Sequence, residues 1–230
     1  MKTTISIQGT DFYINGEPTY KGCVHEGRRV EGLLLNSRMV QAIFDDENPE
    51  TEANWQYPDT KEWDADRNTD EFCAALPSYK DHGLLAVTVG LQGGGPIYFP
   101  EIYDNYINSA FEWDGSLKPA YFERLRKILT TADDLGIVVI ANYFYWQQNR
   151  HFVDEAAIKR ATRLATEWFL ECSYHNVIVD INNEIKKGEG ILESGGIHQL
   201  VEIIQHTQLD GNRLLVGTSV HPHNHMPGGK

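Results

Sequence analysis

The 230 residues, 41% hydrophobic and 23% charged, suit one globular domain with a full core and exclude a disordered or fibrous chain. A net charge of -13, with the 20 basic residues never gathered into a long run, excludes a nucleic-acid surface, which needs clustered Lys and Arg. No apolar run approaches the roughly 18 to 20 residues that cross a bilayer, and the N-terminus lacks the apolar segment of a secretory signal, so the expectation is a cytoplasmic protein that does not span a membrane.

The chain opens with Thr4-Ile-Ser-Ile-Gln8 and Phe12-Tyr-Ile14 around a Gly-containing turn, with Asn15-Gly16 following, which predicts an N-terminal β-hairpin over residues 1–18. The remainder, 19–230, reads as one α/β body. Thr19-Tyr-Lys-Gly-Cys-Val24 is the expected first strand, and a long polar, Trp-rich insertion at about 45–66 follows it. Asn68 and Glu71, three positions apart, predict a helix start, and Pro77 is expected to kink or restart that helix before Gly83. The apolar run Leu84–Leu91 is strand-like and ends in the loop signal Gln92-Gly-Gly-Gly-Pro96.

From there the pattern cycles. Tyr121, Leu125, Ile128, Ala132 and Leu135 form a helical stripe stopped by Gly136, and Ile137–Ala141 forms a strand. Ile158, Ala161, Ala165, Trp168, Phe169 and Cys172 form the next stripe, and Asn176–Ile181 the next strand. Ile197, Leu200, Val201 and Ile204 mark a last helix before the strand Arg213–Thr218. Apolar strands alternating with amphipathic helices require a parallel sheet covered by helices.

An open doubly wound sheet and a barrel both satisfy this alternation. Gly93-Gly94-Gly95 is not a dinucleotide turn, because no helix begins directly after it. Polar and aromatic residues instead collect at the C-terminal end of each later strand: Gln92; Asn142, Tyr143 and Tyr145; Asn182, Asn183 and Glu184; Ser219, His221 and His223. That is where the loops of a TIM (β/α)8 barrel build a site, so a partial barrel of about five βα units is expected.

Val177-Ile-Val-Asp-Ile-Asn-Asn-Glu184 puts a carboxylic acid at the mouth of such a barrel, with a carboxamide beside it. Glycoside cleavage needs a proton donor for the leaving oxygen, and Asn183 suits a sugar hydroxyl whose hydrogen bond strengthens in the transition state. The alternative is that Asn183 and Glu184 cap a following helix. By the same geometry Gln92, Asn142, Tyr143 and His221 are candidate sugar contacts, and Arg38 either binds a substrate group or anchors the insertion by an ion pair. Trp146 and Trp113 either stack on apolar sugar faces or pack within loops.

At these residues the sequence resembles the clan of retaining (β/α)8 glycosidases that includes the cellulase-like family 5. The runs Glu31-Gly-Leu-Leu-Leu-Asn-Ser-Arg38, Tyr57-Pro-Asp-Thr-Lys-Glu-Trp-Asp64, Arg67-Asn-Thr-Asp-Glu-Phe72 and Leu91-Gln-Gly-Gly94 look more closely like those of a little-characterised group related to that clan. The resemblance implies a glycoside hydrolase acting on a poly- or oligosaccharide, with Glu184, after Asn183 at the end of strand four, as general acid/base and with no cofactor or metal ion. The clan takes its nucleophile from strand seven and often has His where Asn142 and Tyr143 stand. No residue here inherits the nucleophile's role.

Three explanations stand for the absent second carboxylate: a chain lacking its C-terminal half, which is favoured; a homo-oligomer of two partial barrels; or a site completed by Glu26, Asp45 or Asp46. Two other functions compete. His221, His223 and His225 alternate in an extended segment and suit a metal-dependent barrel hydrolase. A non-catalytic carbohydrate-binding barrel would keep the cleft without the chemistry. Cys23, Cys73 and Cys172, without Cys-x-x-Cys spacing, predict reduced, buried side chains.

Overall fold

The computed structural model describes residues 2–94, 105–145 and 148–221. Three strands, β1 (Ile5–Gln8), β2 (Asp11–Ile14) and β3 (Glu17–Pro18), form an antiparallel sheet, one strand more than the expected hairpin. A small ladder, β4 (Val24–His25) with β5 (Arg28–Arg29), follows. Then come β6 (Asn36–Arg38), α1 (Ala65–Asp81), β7 (Ala86–Gly90), α2 (Pro119–Leu135), β8 (Val138–Phe144), α3 (Glu155–Glu171), β9 (Val177–Asn182), α4 (His198–His206) and β10 (Leu215–Gly217). The five later strands make a parallel sheet in the order β10-β9-β8-β7-β6, so each crossover adds a neighbour on the same side, as in a barrel that has begun to close.

The first parallel strand is β6, not Thr19–Val24. Tyr20 has a left-handed φ of 50°, which interrupts an extended strand, and Val24 is used in the small antiparallel ladder. Because β6 replaces the expected strand one for one, β9 remains the fourth parallel strand. The start of α1 also differs from expectation: Asp64 caps it by accepting the Arg67 backbone N–H at 2.9 Å, and the helix runs through Pro77 without a break. Asn68 instead donates its side-chain amide to the carbonyl of Gln41 at 3.0 Å, tying α1 to the loop after β6.

The other helix ends follow their chemistry. Pro119 opens α2 and Gly136, at φ 68°, closes it, while Asp154 caps α3 through the Ala157 N–H at 2.8 Å. The buried stripes Leu125, Ile128 and Leu129 of α2 and Ala161, Ala165 and Phe169 of α3 pack with Val139, Ala141, Val179 and Ile181 of the sheet. Each such side chain, buried completely, stabilises the fold by about 1.5–3 kcal/mol.

The opposite, inner face of the sheet is closed at its lower end by the N-terminal sheet. There Ala86 and Val138, at the starts of their strands, pack with Ile5, Phe12 and Ile14 of the N-terminal sheet. That sheet is fastened by Asp133, whose carboxylate accepts the backbone N–H groups of Lys2 and Thr3 at 2.9–3.0 Å. The N-terminal ends of the strands are thus plugged and their C-terminal ends are left for the loops.

The insertion after β6 is a packed aromatic unit. Phe44 meets the rings of Trp55 and Trp63 edge-on at 4.9 and 5.9 Å, and Tyr57 stacks on Trp63 at 5.6 Å. The tryptophans of this Trp-rich insertion are thus held by packing. Of the cysteines, Cys23 is exposed, against the expectation of burial, and Cys73 and Cys172 are half-buried.

Candidate functional site

Strand register brings Gly90, Asn142, Asp180 and Gly217 into one row across β7 to β10. Gly217 has nothing within 4 Å of where a Cβ would sit, so the row, with its two polar side chains Asn142 and Asp180, is open at its β10 end. Asn142 donates its side-chain amide to Asp180 Oδ2 at 3.0 Å. Asp180 Oδ1 accepts the backbone N–H of Ser219 at 3.0 Å, from the segment just past β10. Burial pushes the Asp180 carboxyl up to about 6, against the pull of the Ser219 and Asn142 hydrogen bonds and of the Arg38 guanidinium on β6.

Glu184 lies beyond the end of β9, where Asn183 and Glu184 turn the chain. Its φ of 53° is left-handed, and its backbone N–H donates to Ser219 Oγ at 2.9 Å. Ile185 then pairs with the strand-five side through Ser219 O at 2.9 Å. The helix-capping alternative fails, because α4 does not begin until His198. The exposed Glu184 side chain lines a hollow of about 390 Å³ with Asn182, Lys186 and Glu193 on one wall and Glu155 and Ile158 of α3 on another. None of Arg38, Asn142 and Asp180 lines that hollow. The polar groups therefore fall in two sets, an inner row and a rim, with Ser219 bonded to both.

The expected substrate contacts divide between these sets and the core. Asn183 is half-buried at the turn, its N–H donating to Phe144 O at 3.1 Å, and Arg38 is exposed on β6. Asn142 is buried and engaged with Asp180. Gln92 is misassigned: it is 1% exposed, donates to Ser109 Oγ at 3.0 Å and accepts the Tyr145 N–H at 3.2 Å, so it knits two loops together. Tyr143 is also misassigned. It belongs to β8 rather than its end, and its ring turns to the helices, stacked on Phe169 with its hydroxyl 3.3 Å from Thr166 Oγ1, where burial pushes the phenol upward.

Trp146, His223 and His225 lie outside the described residues. The backbone N–H of His221 donates to Ile185 O at 3.2 Å, and no group of three His, Cys, Asp or Glu suited to a metal ion occurs among the described residues. Trp113 packs against His151, with ring centres 4.8 Å apart.

The three carboxylates considered as the second acid are elsewhere. Asp46 is buried and accepts from Thr51 Oγ1, Trp55 Nε1 and the N–H groups of Asn48 and Ile107. Asp45 pairs with Arg124 at 2.8 Å, and Glu26 sits in the turn between β4 and β5. Asp180 is the group of this row that the residue pattern did not single out, and Ser219, expected at its strand end, carried no assigned role. The signal for Asp180 was present, since an acid inside Val177-Ile-Val-Asp-Ile181 alternates onto the face opposite Val177, Val179 and Ile181.

No protein-family model matches the chain, and no curated protein matches it. Solved structures do. A glycoside hydrolase family 5 protein from Bacteroides vulgatus superposes with a TM-score of 0.53 at 14% identity, over 94% of this chain and 38% of that one. A family 5 enzyme from Prevotella bryantii gives 0.51 at 11% identity, over 79% of this chain and 53% of that one. An endocellulase from Pyrococcus horikoshii, in complex with cellotetraose, gives 0.50 at 14% identity, over 94% and 56%. The resemblance to cellulase-like family 5 is matched by these neighbours at the level of the fold, an α/β barrel of which this chain spans about 38% to 56% of their lengths. No helix among the described residues is long and apolar enough to cross a membrane.

Proposed function

We propose that the chain carries the acid/base half of a glycoside hydrolase site, with Glu184 protonating the glycosidic oxygen of a poly- or oligosaccharide. One observation supports this above all: Glu184 follows the fourth parallel strand at the unplugged end of the sheet and borders a hollow large enough for a sugar unit. Bond cleavage proceeds as the Glu184 carboxyl gives its proton to the leaving oxygen while positive charge builds on the sugar ring. The Asn183 carboxamide is the group beside it suited to hold a ring hydroxyl.

A second carboxyl group must stand about 5 to 5.5 Å away for retention of configuration, or about 6.5 to 9.5 Å away for inversion. Glu155 and Glu193 wall the same hollow and are the first acids to substitute in seeking it. Cello-oligosaccharides are the first substrates to try, because the Pyrococcus neighbour is an endocellulase bound to one.

The test is Glu184→Gln assayed beside the wild type on soluble glucans and aryl glycosides. Loss of a general acid lowers kcat by about 10²- to 10⁴-fold. Activity that survives the change removes Glu184 from the role, and sugar binding without cleavage in the wild type makes the chain a carbohydrate-binding barrel.

A further inference from the structure

We propose that Asp180 is a positioning residue for Glu184, acting through Ser219 to hold the backbone turn that presents the Glu184 carboxyl. The proposal rests on the acid/base role of Glu184 for its catalytic meaning, but the linkage itself is a matter of geometry and is testable alone.

Glu184 stands in the left-handed region at φ 53°, a conformation that a residue with a long side chain keeps only where its surroundings hold it. Ser219 supplies that hold twice. Its Oγ accepts the Glu184 N–H at 2.9 Å, and its carbonyl accepts the Ile185 N–H at 2.9 Å, so the turn is pinned on both sides of the Glu184 carbonyl. Ser219 lies past the end of the edge strand β10; its backbone is located by Asp180, whose Oδ1 takes the Ser219 N–H at 3.0 Å, while its Oγ lies 3.5 Å from Asp180 Oδ2 and 3.2 Å from the Asn182 carbonyl. Asn142 fixes the remaining freedom of the carboxylate from β8 at 3.0 Å. The chain of contacts runs from strand three, across strand four, to the loop after strand five and back to the acid.

Asp180 acts as an acceptor throughout, so protonation replaces one of its acceptor sites with a donor and loosens its grip on Ser219. The groups facing it settle where that occurs. Burial favours the neutral acid, with the carboxyl pushed up to about 6, while Arg38 from β6 favours the anion. Asn142 from β8 and the Ser219 N–H past β10 are neutral donors, and β7 offers only Thr88 and Gly90, which do not ionise. The turn at Glu184 should therefore tighten as pH rises through about 6.

The experiment is amide and carboxyl NMR on the full chain in the Glu184→Gln background, where residue 184 has no ionising side chain of its own to report. The residue 184 amide is expected to shift with the midpoint of the Asp180 carboxyl. Adding Asp180→Asn should abolish that shift. Adding Ser219→Ala, which removes the Oγ contact but keeps the backbone contacts of residue 219, should reduce it at residue 184 while Asp180 still titrates, and Ser219→Thr, which keeps the hydroxyl, should restore it. A residue 184 shift that survives Asp180→Asn, or that Ser219→Ala leaves at full size, overturns the proposal. On a cleaved glycoside, in the presence of the wild-type Glu184, Ser219→Ala should lower kcat with KM little changed, and an unchanged kcat also overturns it. Failure of the acid/base role shows separately, as activity that Glu184→Gln leaves intact.

Discussion

Asn142 on β8 and Asp180 on β9 are direct register partners, and their side chains meet at 3.0 Å, amide to carboxylate, on the inner face of the sheet. This bond is one of the forces opposing the upward push of burial on Asp180. Asn142→Ala is therefore expected to raise the Asp180 midpoint further above 6 and to cost about 1–3 kcal/mol at pH 8, where a buried carboxylate would have lost a donor. Carboxyl NMR titration and urea melts check both. A midpoint that falls would show that Asn142 does not stabilise the anion.

The same carboxyl sets a pH dependence of stability. Its pKa rises from 3.8 in the unfolded chain to about 6 in the folded one, so between those values the native state binds more protons. The stabilisation is complete below about pH 4 and is lost as pH rises through about 6, with an upper size of roughly 3 kcal/mol. Asp11, Glu31, Asp59 and Asp114, all held low first by side-chain hydrogen bonds to Arg29, Arg67 or Ser116, act in the opposite sense, losing stabilisation as pH falls through their depressed values. The contribution of Asp180 is isolated by difference: Asp180→Asn should remove the decline in stability across about pH 4 to 6. Parallel slopes for wild type and variant in urea melts would contradict the assignment.

The parts of this fold legible in the sequence were those dictated by period and punctuation. Leu125 and Ile128 on one helical stripe, Gly136 as a stop, and Val177, Val179 and Ile181 on one strand face each carry their own local signal. Tyr143 was misjudged because the strand runs on to Phe144, and a residue inside a strand faces one side or the other by parity rather than crowning its end. Gln92 was misjudged because its partner Ser109 comes from a distant loop, which no local pattern announces. The link from Asp180 through Ser219 to Glu184 was illegible for the same reason: it joins two segments 35 to 39 residues apart in the chain.

Asp46 illustrates a carboxylate that is structural rather than chemical. It gathers the Trp55 indole at 2.6 Å, the Thr51 hydroxyl at 2.6 Å, and the backbone N–H groups of Ile107 and Asn48 at 2.8 and 2.9 Å. Asp46→Ala leaves four donors without their acceptor and should cost about 3–5 kcal/mol, with a change in tryptophan fluorescence as the aromatic insertion loosens. A loss below about 1 kcal/mol would mean that water replaces the carboxylate and that the insertion is not held from within.

The parallel sheet has two edges among the described residues, β6 and β10. Leu33 and Leu35, next to β6, are 49% and 51% exposed. An unpaired edge beside exposed leucines favours pairing with another chain. Sedimentation velocity is expected to show concentration-dependent association that Leu35→Lys weakens. A monomer at all concentrations would show that the edge is adequately covered.

Gly115 supports the wall of the Glu184 hollow from outside. It sits at φ 86° in the turn after Phe111, and a Cβ there would lie 2.1 Å from Ala157 O in the first turns of α3, two residues past Glu155. Backbone cannot retreat as a side chain tip can, so Gly115→Ala must displace the start of α3 as well as strain the turn, and should cost about 2–4 kcal/mol. Gly136 is the control. It too has a positive φ, 68°, but its nearest neighbour would be the Lys80 ammonium at 3.6 Å, so Gly136→Ala should cost only about 1 kcal/mol. Because Glu155 and Ile158 move with α3, the Gly115 variant should also shift the NMR signals of residues around Glu184, whereas the Gly136 variant should not. Equal costs for the two substitutions, or an unperturbed Glu184 in the Gly115 variant, would show that the close approach to α3 does not shape the hollow.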